Sequence, residues 1–374
     1  MRVRPLDLLR ALAVLLVLGR HTPPPEPGVV APLRVLGKIW YESGWIGVDL
    51  FFVLSGFLIS GLFFREFRRH GDVRVWRFLV RRGFKIYPPF YAMLLATLIY
   101  YHFPGGKVGE LLRNEAIFLQ NYWGGIWNHT WSLDAEEHFY LVLGALVAVL
   151  VWVGRARKDP FRPLVYLMPL AAAAVVGLRV WSRWDPGVIH LYLTHMRADG
   201  LAWGVFLGYW YHCRDRRWLG VLHRHVLLVL LAAAVLLAPP FVWWFSEHTP
   251  LWTIGLASMA LGFTAVLSLA LPAGDGAPRA PWRAERALAR IGADSYSIYL
   301  WHMPVSRWLM PTIDDAGLFA VGGPTASYAL RSATFLGICV AGGIIAAFLV
   351  ERPALALRDW PCPSRSGALP IGPA

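Results

Sequence analysis

Ten stretches of the chain are apolar and long enough to cross a lipid bilayer as helices. They lie near residues 6–22, 45–64, 84–103, 132–153, 162–180, 198–212, 222–241, 251–271, 290–310 and 325–350. A hydrocarbon core about 30 Å thick needs roughly 20 apolar residues of helix, so each stretch predicts one span. No fixed-period repeat relates the stretches, and the loops between them are short. The pattern predicts an all-α, polytopic integral membrane protein with about ten transmembrane helices around a polar cavity.

Lysine and arginine alternate between rich and poor loops along this pattern. With the N-terminus inside, 26 of the 36 basic residues fall on the inner side. Because basic loops stay in the cytoplasm, we expect both termini there and an even number of spans. The transmembrane domain then covers residues 1–357, and the Pro-, Ser- and Gly-rich segment 358–374 is expected to be a disordered cytoplasmic tail.

Composition supports a membrane protein and argues against other classes. The chain is 57% hydrophobic and 16% charged, with 19 Trp, 20 Phe and 14 Tyr. A net charge of +13 could indicate a nucleic-acid partner, but the basic residues lie between apolar segments, so topology explains them better. The three cysteines are widely spaced and predict neither a disulfide framework nor a metal site.

The first apolar stretch contains a polar stripe. Arg10 and His21 are eleven residues apart, which returns them to nearly the same helix face about 16.5 Å apart along the axis. Asp7 lies one turn before Arg10 on that side. A charged side chain facing lipid costs several kcal/mol, so the stripe should face a protein interior or an aqueous cavity. We interpret it as part of a functional site.

The predicted orientation sorts the intramembrane polar residues into two layers. The layer toward the cytoplasm is mostly cationic and contains Asp7, Arg10, Arg82, Lys85, Glu351 and Arg352. The layer toward the outer face mixes carboxylates with two histidines and contains His21, Asp49, Glu136, Glu137, Arg197, Asp199 and His302. This arrangement predicts an anionic ligand held from inside and proton chemistry nearer the outside.

His21 is the strongest catalytic candidate. A neutral imidazole can take a proton from a hydroxyl or act as a transient nucleophile. A histidine at a helix end can also simply face interfacial water, but the alignment with Asp7 and Arg10 favours catalysis. Arginine binds phosphate through paired hydrogen bonds and lysine binds it as a point charge, so Arg10, Arg82 and Lys85 are candidate phosphate ligands. A basic cytoplasmic loop would equally explain the last two.

Further candidates lie on later helices. Glu136 and Glu137 point about 100° apart, so one of them can face the bundle centre and orient His21; a helix start favoured by the dipole is the alternative. His302 is either a second base or a structural histidine. Asp49 can pair with an arginine across the bundle, and Gly56 permits close helix packing.

Taken together, these motifs resemble the bacterial membrane-bound acyltransferase-3 family, the O-acetylases of cell-surface and exported sugars. The matching pieces occur in order along nearly the whole chain: Arg10 with His21, residues 47–57, Arg81-Arg82 through Lys85 to Pro88, Trp131-Ser132-Leu133 with Glu136-Glu137 and Phe139-Tyr140, residues 197–200, Ser295 through His302 to Pro304, and Glu351-Arg352-Pro353.

The resemblance implies a multi-pass enzyme of the bacterial inner membrane that takes an acyl group, usually acetyl, from cytoplasmic acyl-CoA. The acceptor would be a hydroxyl on a lipid-linked glycan, polysaccharide, peptidoglycan or secondary metabolite. Within the family pattern His21 matches the essential histidine and Arg10 its partner arginine, while Arg82 and Lys85 fall on a basic pair. The second member of that pair is usually arginine, so Lys85 keeps the charge but loses bidentate geometry.

The resemblance also yields a mechanism to test. We expect the CoA phosphates among Arg10, Arg82 and Lys85, and His21, oriented by Glu137 or another carboxylate, either to deprotonate the acceptor or to carry the acyl group. A transporter or flippase of a glycan or anionic metabolite is the main alternative, which two repeated halves would favour. A polyprenyl-linked glycosyltransferase and a serine intramembrane protease are further alternatives that the motifs favour less.

Overall fold

The computed structural model describes residues 4–102, 106–155, 157–182, 191–242, 250–272, 281–360 and 362–363. Within these ranges the regular elements are all helices. In chain order they are α1 (Arg4–Arg20), α2 (Ala31–Ser43), α3 (Gly47–His70), α4 (Val75–Tyr100), α5 (Gly106–Ala116), α6 (Gln120–Trp123), α7 (Trp131–Val153), α8 (Leu164–Ser182), α9 (Thr194–Cys213), α10 (Arg217–Arg224), α11 (Val226–Leu236), α12 (Pro239–Val242), α13 (Leu256–Ala270), α14 (Arg283–Ala293), α15 (Ser295–Pro304), α16 (Met310–Asp315), α17 (Gly323–Ala346) and α18 (Arg352–Asp359).

Short 3₁₀ and π-helical segments extend several of these helices. A 3₁₀ turn, Gly44–Ile46, joins α2 to α3. Wider π turns lead into α13 (Leu251–Gly255), follow α15 (Val305–Leu309) and join α17 to α18 (Ala347–Glu351). Such turns often occur at functional sites, and the last of them carries Glu351.

Five helical stretches of the described residues are long and apolar enough to cross a membrane. They are Ala31–His70, Trp131–Val153, Leu164–Ser182, Leu251–Ala270 and Gly323–Asp359. Helices α10 and α11, which meet at 82°, would make a sixth if the pair forms one broken span. The prediction of an all-helical chain with several apolar spans is therefore confirmed, whereas the count of ten spans and the cytoplasmic termini stay predictions.

The outer helices expose their apolar side chains. On α7, Leu141, Val142 and Trp152 are each more than half exposed, and α11 exposes Leu227 and Leu228 similarly. A helix that is apolar on its outer face is favourable when that face meets lipid hydrocarbon. These surfaces indicate the lipid-facing side of the bundle.

The interior helices pack closely through glycines. Helix α3 makes its most extensive contacts with α9. A Cβ on Gly56 would overlap the backbone carbonyl of Leu201, and a Cβ on Gly204 would overlap that of Val53. The absence of side chains at these positions lets the two backbones approach, as in other membrane helix pairs. The packing role predicted for Gly56 is confirmed.

Helix α1 packs against α14, α3, α2 and α15. The approach of α14 is close at Gly292, where a Cβ would overlap the carbonyl oxygen of Asp7. Because α1 is one continuous helix to Arg20, it carries Arg10 and ends immediately before His21. Arg10 therefore lies on α1, and His21 is the first residue after its end.

At the C-terminal end, helix α18 includes the first residues of the predicted tail. Arg358 is buried, and Asp359 forms an ion pair with Arg81 of α4 at 2.9 Å. Residues 361 and 364–374 of that tail lie outside the described residues. The start of segment 358–374 is thus held against α4.

The contact between Gly292 and α1 predicts that glycine replacements differ in their effect on stability. Gly292→Ala should lower the free energy of unfolding by about 1–3 kcal/mol, because the new methyl forces α1 away from α14. The thermal midpoint of detergent-purified protein measures the effect. Gly177→Ala on α8, where no atom lies within 4 Å of the place that the new methyl would take, is the control and should be neutral or stabilising. Equal midpoints for the two variants would contradict the packing.

Candidate active site

Three histidines meet at the end of α1. The rings of His21 and His302 lie 4.7 Å apart between centroids in an edge-to-face arrangement. The ring of His129, from the loop before α7, lies 5.0 Å from that of His302, also edge to face. His129 and His302 are buried, and His21 is partly buried. The fold thus joins two of the predicted site residues, His21 and His302, and adds a third imidazole.

Each of these rings bonds one nitrogen to a backbone carbonyl. His21 Nδ1 lies 2.9 Å from the carbonyl of Val17, and His302 Nδ1 bonds that of Tyr299. A carbonyl only accepts, so these ring nitrogens must carry the hydrogen. On this assignment, which follows from the hydrogen bonds, the Nε2 atoms of the neutral rings are acceptors. His302 Nε2 is buried without a hydrogen-bond partner among the described residues.

His129 has the opposite arrangement. Its Nε2 donates to the carbonyl of Leu300 at 3.1 Å, and its buried Nδ1 has no partner in the described part of the chain. Burial lowers the pKa of His129 to about 3, so this ring is neutral near pH 7. The loop is fixed by Tyr299, whose hydroxyl donates to the carbonyl of His129 at 2.6 Å and lies 2.7 Å from Ser132 Oγ.

The predicted phosphate ligand Arg82 is held by a partly buried hydrogen-bond network. Its Nη2 lies 3.4 Å from Glu136 Oε2 and donates to the Tyr140 hydroxyl at 2.9 Å. Glu136 also accepts hydrogen bonds from Tyr140 at 2.6 Å and from Ser55 at 2.8 Å. Arg82 Nε is buried and has no partner among the described residues, so the guanidinium keeps one N–H to donate.

The other two predicted phosphate ligands also have carboxylate partners. Lys85 Nζ donates to Glu351 Oε1 at 3.0 Å, and Ser297 donates to the second oxygen of Glu351 at 2.8 Å. Arg10 lies 3.6 Å from Asp7, one turn earlier on α1. The cationic layer is therefore balanced by carboxylates. Arg10 is the most exposed of its three cations, with 29% of its side chain accessible.

Glu137 lies on the side of α7 that faces α4. Its Oε2 accepts a hydrogen bond from Tyr87 at 3.2 Å, and its Oε1 is buried without a partner among the described residues. No hydrogen bond joins it to His21 within the described chain. The rotation of α7 places Glu136 between Ser55 of α3 and Arg82 of α4, and it places Glu137 beside Tyr87 of α4.

Asp49 and Asp199 form ion pairs that join neighbouring helices. Asp49 of α3 accepts from Arg197 of α9 at 2.7 Å, which confirms the predicted pairing with an arginine. Asp199 binds both terminal nitrogens of Arg179 on α8, at 2.9 and 2.6 Å. These pairs link α3, α8 and α9. Among the described residues, no three His, Cys, Asp or Glu side chains are placed to hold a metal ion.

Sequence reasoning did not identify His129 or Arg179 as members of these clusters. The position of His129 just before the helix that carries both glutamates was the available signal. Arg179 lies in an apolar stretch, where a lone charge demands a partner, and this was a usable signal as well. Neither signal identifies the residue that is contacted, which is His302 for His129 and Asp199 for Arg179.

Known proteins resemble this chain over most of its length. Residues 4–352 match the family of the acyltransferase domain. The chain is 29% identical over 333 residues to the peptidoglycan O-acetyltransferase OatA of Listeria monocytogenes, covering 83% of this chain and 50% of that protein. It is 23% identical over 329 residues to the O-acetyltransferase OatA of Staphylococcus aureus, covering 80% and 50% respectively.

This chain therefore spans about half the length of these curated relatives. No solved structure shows significant similarity to it. The family match covers every histidine, arginine, lysine and glutamate of the clusters described above. On this evidence the chain belongs to the acyltransferase-3 family.

Proposed function

We propose that this protein is a membrane-embedded O-acyltransferase that moves an acetyl group from cytoplasmic acetyl-CoA to a hydroxyl of a glycan. A peptidoglycan-type glycan is the first acceptor to test, because peptidoglycan appears in the name of the Listeria relative. The proposal includes ten spans with both termini in the cytoplasm of a bacterial inner membrane. The observation that carries it is the packing of His21 against His302, at the end of the helix that also carries Arg10.

The donor would bind with its phosphates toward Arg10 and Arg82. Arg82 Nε is an unused buried donor, and a phosphate oxygen is a suitable acceptor for it. The 3.6 Å pair between Arg10 and Asp7 is long enough for an incoming anion to compete for the guanidinium. Lys85, held by Glu351, would contribute charge more than directional bonding.

The extended pantetheine arm would follow α1 toward His21. Arg10 and His21 are about 16.5 Å apart along the helix axis, a length comparable to that arm. In direct transfer, His21 Nε2 takes the proton of the acceptor hydroxyl as its oxygen attacks the thioester carbonyl. The tetrahedral intermediate then expels the CoA thiolate, which receives that proton from the imidazolium and leaves as the thiol.

The second route uses His21 as an acyl carrier. Its Nε2 attacks the thioester carbonyl, the CoA thiolate leaves, and a cationic acetyl-imidazolium remains, because Nδ1 keeps its hydrogen. The acceptor hydroxyl then attacks this intermediate while another base takes its proton and passes it to the CoA thiolate, so that the ester is formed and His21 is released as the neutral imidazole. His302 Nε2, an unpartnered acceptor in the adjacent ring, suits that step. A positioning role for Asp7 would act through Arg10, and one for Glu137 through Tyr87.

The transporter alternative has weaker support. A permeation path would be lined by polar groups open to solvent, whereas Arg82, Lys85 and Arg197 are each bound to a carboxylate in the protein interior. The family match also favours acyl transfer. Transfer of label from acetyl-CoA to an added acceptor distinguishes the two functions.

Replacement of the proposed base should abolish turnover. His21→Ala should lower acetyl transfer from labelled acetyl-CoA to peptidoglycan fragments in proteoliposomes by about 10²–10⁴-fold, the usual contribution of a general base. The thermal midpoint should stay close to that of the unaltered protein. His225→Ala, at an exposed position before α11, is the control and should retain full activity. Retained turnover in a folded His21→Ala protein would defeat the assignment.

Removal of the Arg10 charge should act on donor binding. Arg10→Gln should raise the Kd for acetyl-CoA by about tenfold or more, since a hydrogen bond to a charged group contributes about 1.5–3 kcal/mol. Isothermal titration on purified protein measures this. Arg10→Lys keeps the charge and should lose less affinity, and the exposed Arg34→Gln should lose none. An unchanged Kd for Arg10→Gln would exclude the proposed contact.

A further inference from the structure

A second group of arginines lies near the C-terminal ends of α3 and α9. Arg65 Nη1 lies 3.4 Å from Nε2 of the buried His212, which accepts its hydrogen bond. The guanidinium of Arg216 lies over the ring of Tyr211, 4.2 Å from its centroid. Arg68 and Arg216 are both within electrostatic range of the His212 imidazole. Three cations therefore surround one imidazole.

The shape of the bundle holds this group in place. Gly61, one turn before Arg65, leaves the space that His212 Nε2 occupies; a Cβ there would come within 2.5 Å of that nitrogen and 3.3 Å of the Arg65 guanidinium. The imidazole also stacks on Phe57, with centroids 5.8 Å apart and planes at 30°. His212 is thus fixed by packing and presents its nitrogen to Arg65.

The charge of this group is not balanced. Within the described part of the chain, no carboxylate lies within 4 Å of the guanidinium of Arg65, Arg68 or Arg216. The nearby carboxylates are engaged elsewhere: Asp215 pairs with Arg217 at 2.9 Å, and Asp159 accepts from Tyr209 at 2.6 Å. By contrast, every cation of the Arg10, Arg82 and Lys85 layer has a carboxylate partner.

We propose that Arg65 and Arg216 form a phosphate-binding site, and that its ligand is the 3′-phosphate of the CoA donor. Arginine forks that lack a carboxylate partner are suited to a phosphate monoester, which carries up to two charges and several acceptor oxygens. The ligand assignment rests on the proposed function. The acyl-CoA site would then have two parts: the layer of Arg10, Arg82 and Lys85, whose charge is balanced by carboxylates, near the pyrophosphate, and the unbalanced cluster of Arg65 and Arg216, nearer the cytoplasm, for the nucleotide.

The position of the cluster along α3 agrees with this assignment. Ser55, which bonds the Glu136 partner of Arg82, is ten residues before Arg65, or about 15 Å along the helix axis. Helical side chains lean toward the N-terminus, so the Arg65 guanidinium shortens this distance. The nucleotide would lie between the two positions, on the side that we propose faces the cytoplasm.

The test compares CoA with 3′-dephospho-CoA, which lacks only the 3′-phosphate. Full-length protein in phosphatidylcholine nanodiscs should bind CoA at least about tenfold more tightly than dephospho-CoA, the effect of a charge-assisted hydrogen bond. Arg65→Gln and Arg216→Gln should remove this preference and leave the Kd for dephospho-CoA unchanged. Arg65→Lys should restore part of it. Arg217→Gln, an exposed arginine paired with Asp215, is the matched control and should keep the full preference.

Several results would overturn the proposal. Equal affinity of the unaltered protein for CoA and dephospho-CoA would rule out recognition of the 3′-phosphate. An equal loss of affinity for both nucleotides in Arg65→Gln would rule it out as well. Basic pockets on the cytoplasmic side can also bind lipid headgroups. If native mass spectrometry in phosphatidylglycerol shows one lipid fewer on Arg65→Gln while the nucleotides bind equally, the phosphate belongs to a lipid and the donor assignment is wrong. If neither nucleotide binds the unaltered protein, the acyl-CoA function itself fails.

Discussion

The need to neutralise charge in an apolar interior organises this protein. An unpaired buried charge costs several kcal/mol, so the buried arginines of α8 and α9, Arg179 and Arg197, pair with carboxylates on neighbouring helices. Asp49 with Arg197 joins α3 to α9, Asp199 with Arg179 joins α9 to α8, and Lys85 with Glu351 joins α4 to the turn before α18. Of the helices that these pairs connect, α3 also packs against α1. They also set the positions from which ligands could be recognised.

The histidine cluster satisfies the same constraint by a different means. An imidazole can be buried without charge, provided that its N–H finds an acceptor. His21, His129 and His302 each use a backbone carbonyl for this purpose, which fixes the ring and leaves the other nitrogen as a base. A fixed neutral base near a thioester is what acyl transfer to a hydroxyl requires. The layer of paired cations and the cluster of neutral bases are therefore complementary parts of one proposed site.

The parts of this site that follow from helix periodicity could be predicted from the sequence. The eleven-residue interval between Arg10 and His21 needs only a continuous helix, and α1 is continuous to Arg20. The pairing of Asp49 with an arginine follows from the cost of burying a charge. Neither inference depends on how the helices are arranged around each other.

Features that depend on helix rotation and chain crossing could not be predicted. Adjacent glutamates fix their relative angle but not the angle of α7 itself, so the preference of Glu136 for Arg82 and of Glu137 for Tyr87 emerges only from the tertiary structure. His129 lies 108 residues from His21, and only tertiary packing brings it to the cluster. Charged residues also lower the mean hydropathy of α4 and α9, and α1 has only 17 residues, so a count of spans from hydropathy alone does not identify these helices.

The most direct test of the neutral histidine cluster is nitrogen-15 spectroscopy of the histidine side chains in full-length protein labelled at histidine, with variants at positions 21, 129 and 302 for assignment. Near pH 7 we expect neutral rings at all three positions, with the proton on Nδ1 of His21 and His302 and on Nε2 of His129. An imidazolium at His21, or a proton on its Nε2, would mean that no basic nitrogen faces the acceptor and would contradict the proposed chemistry.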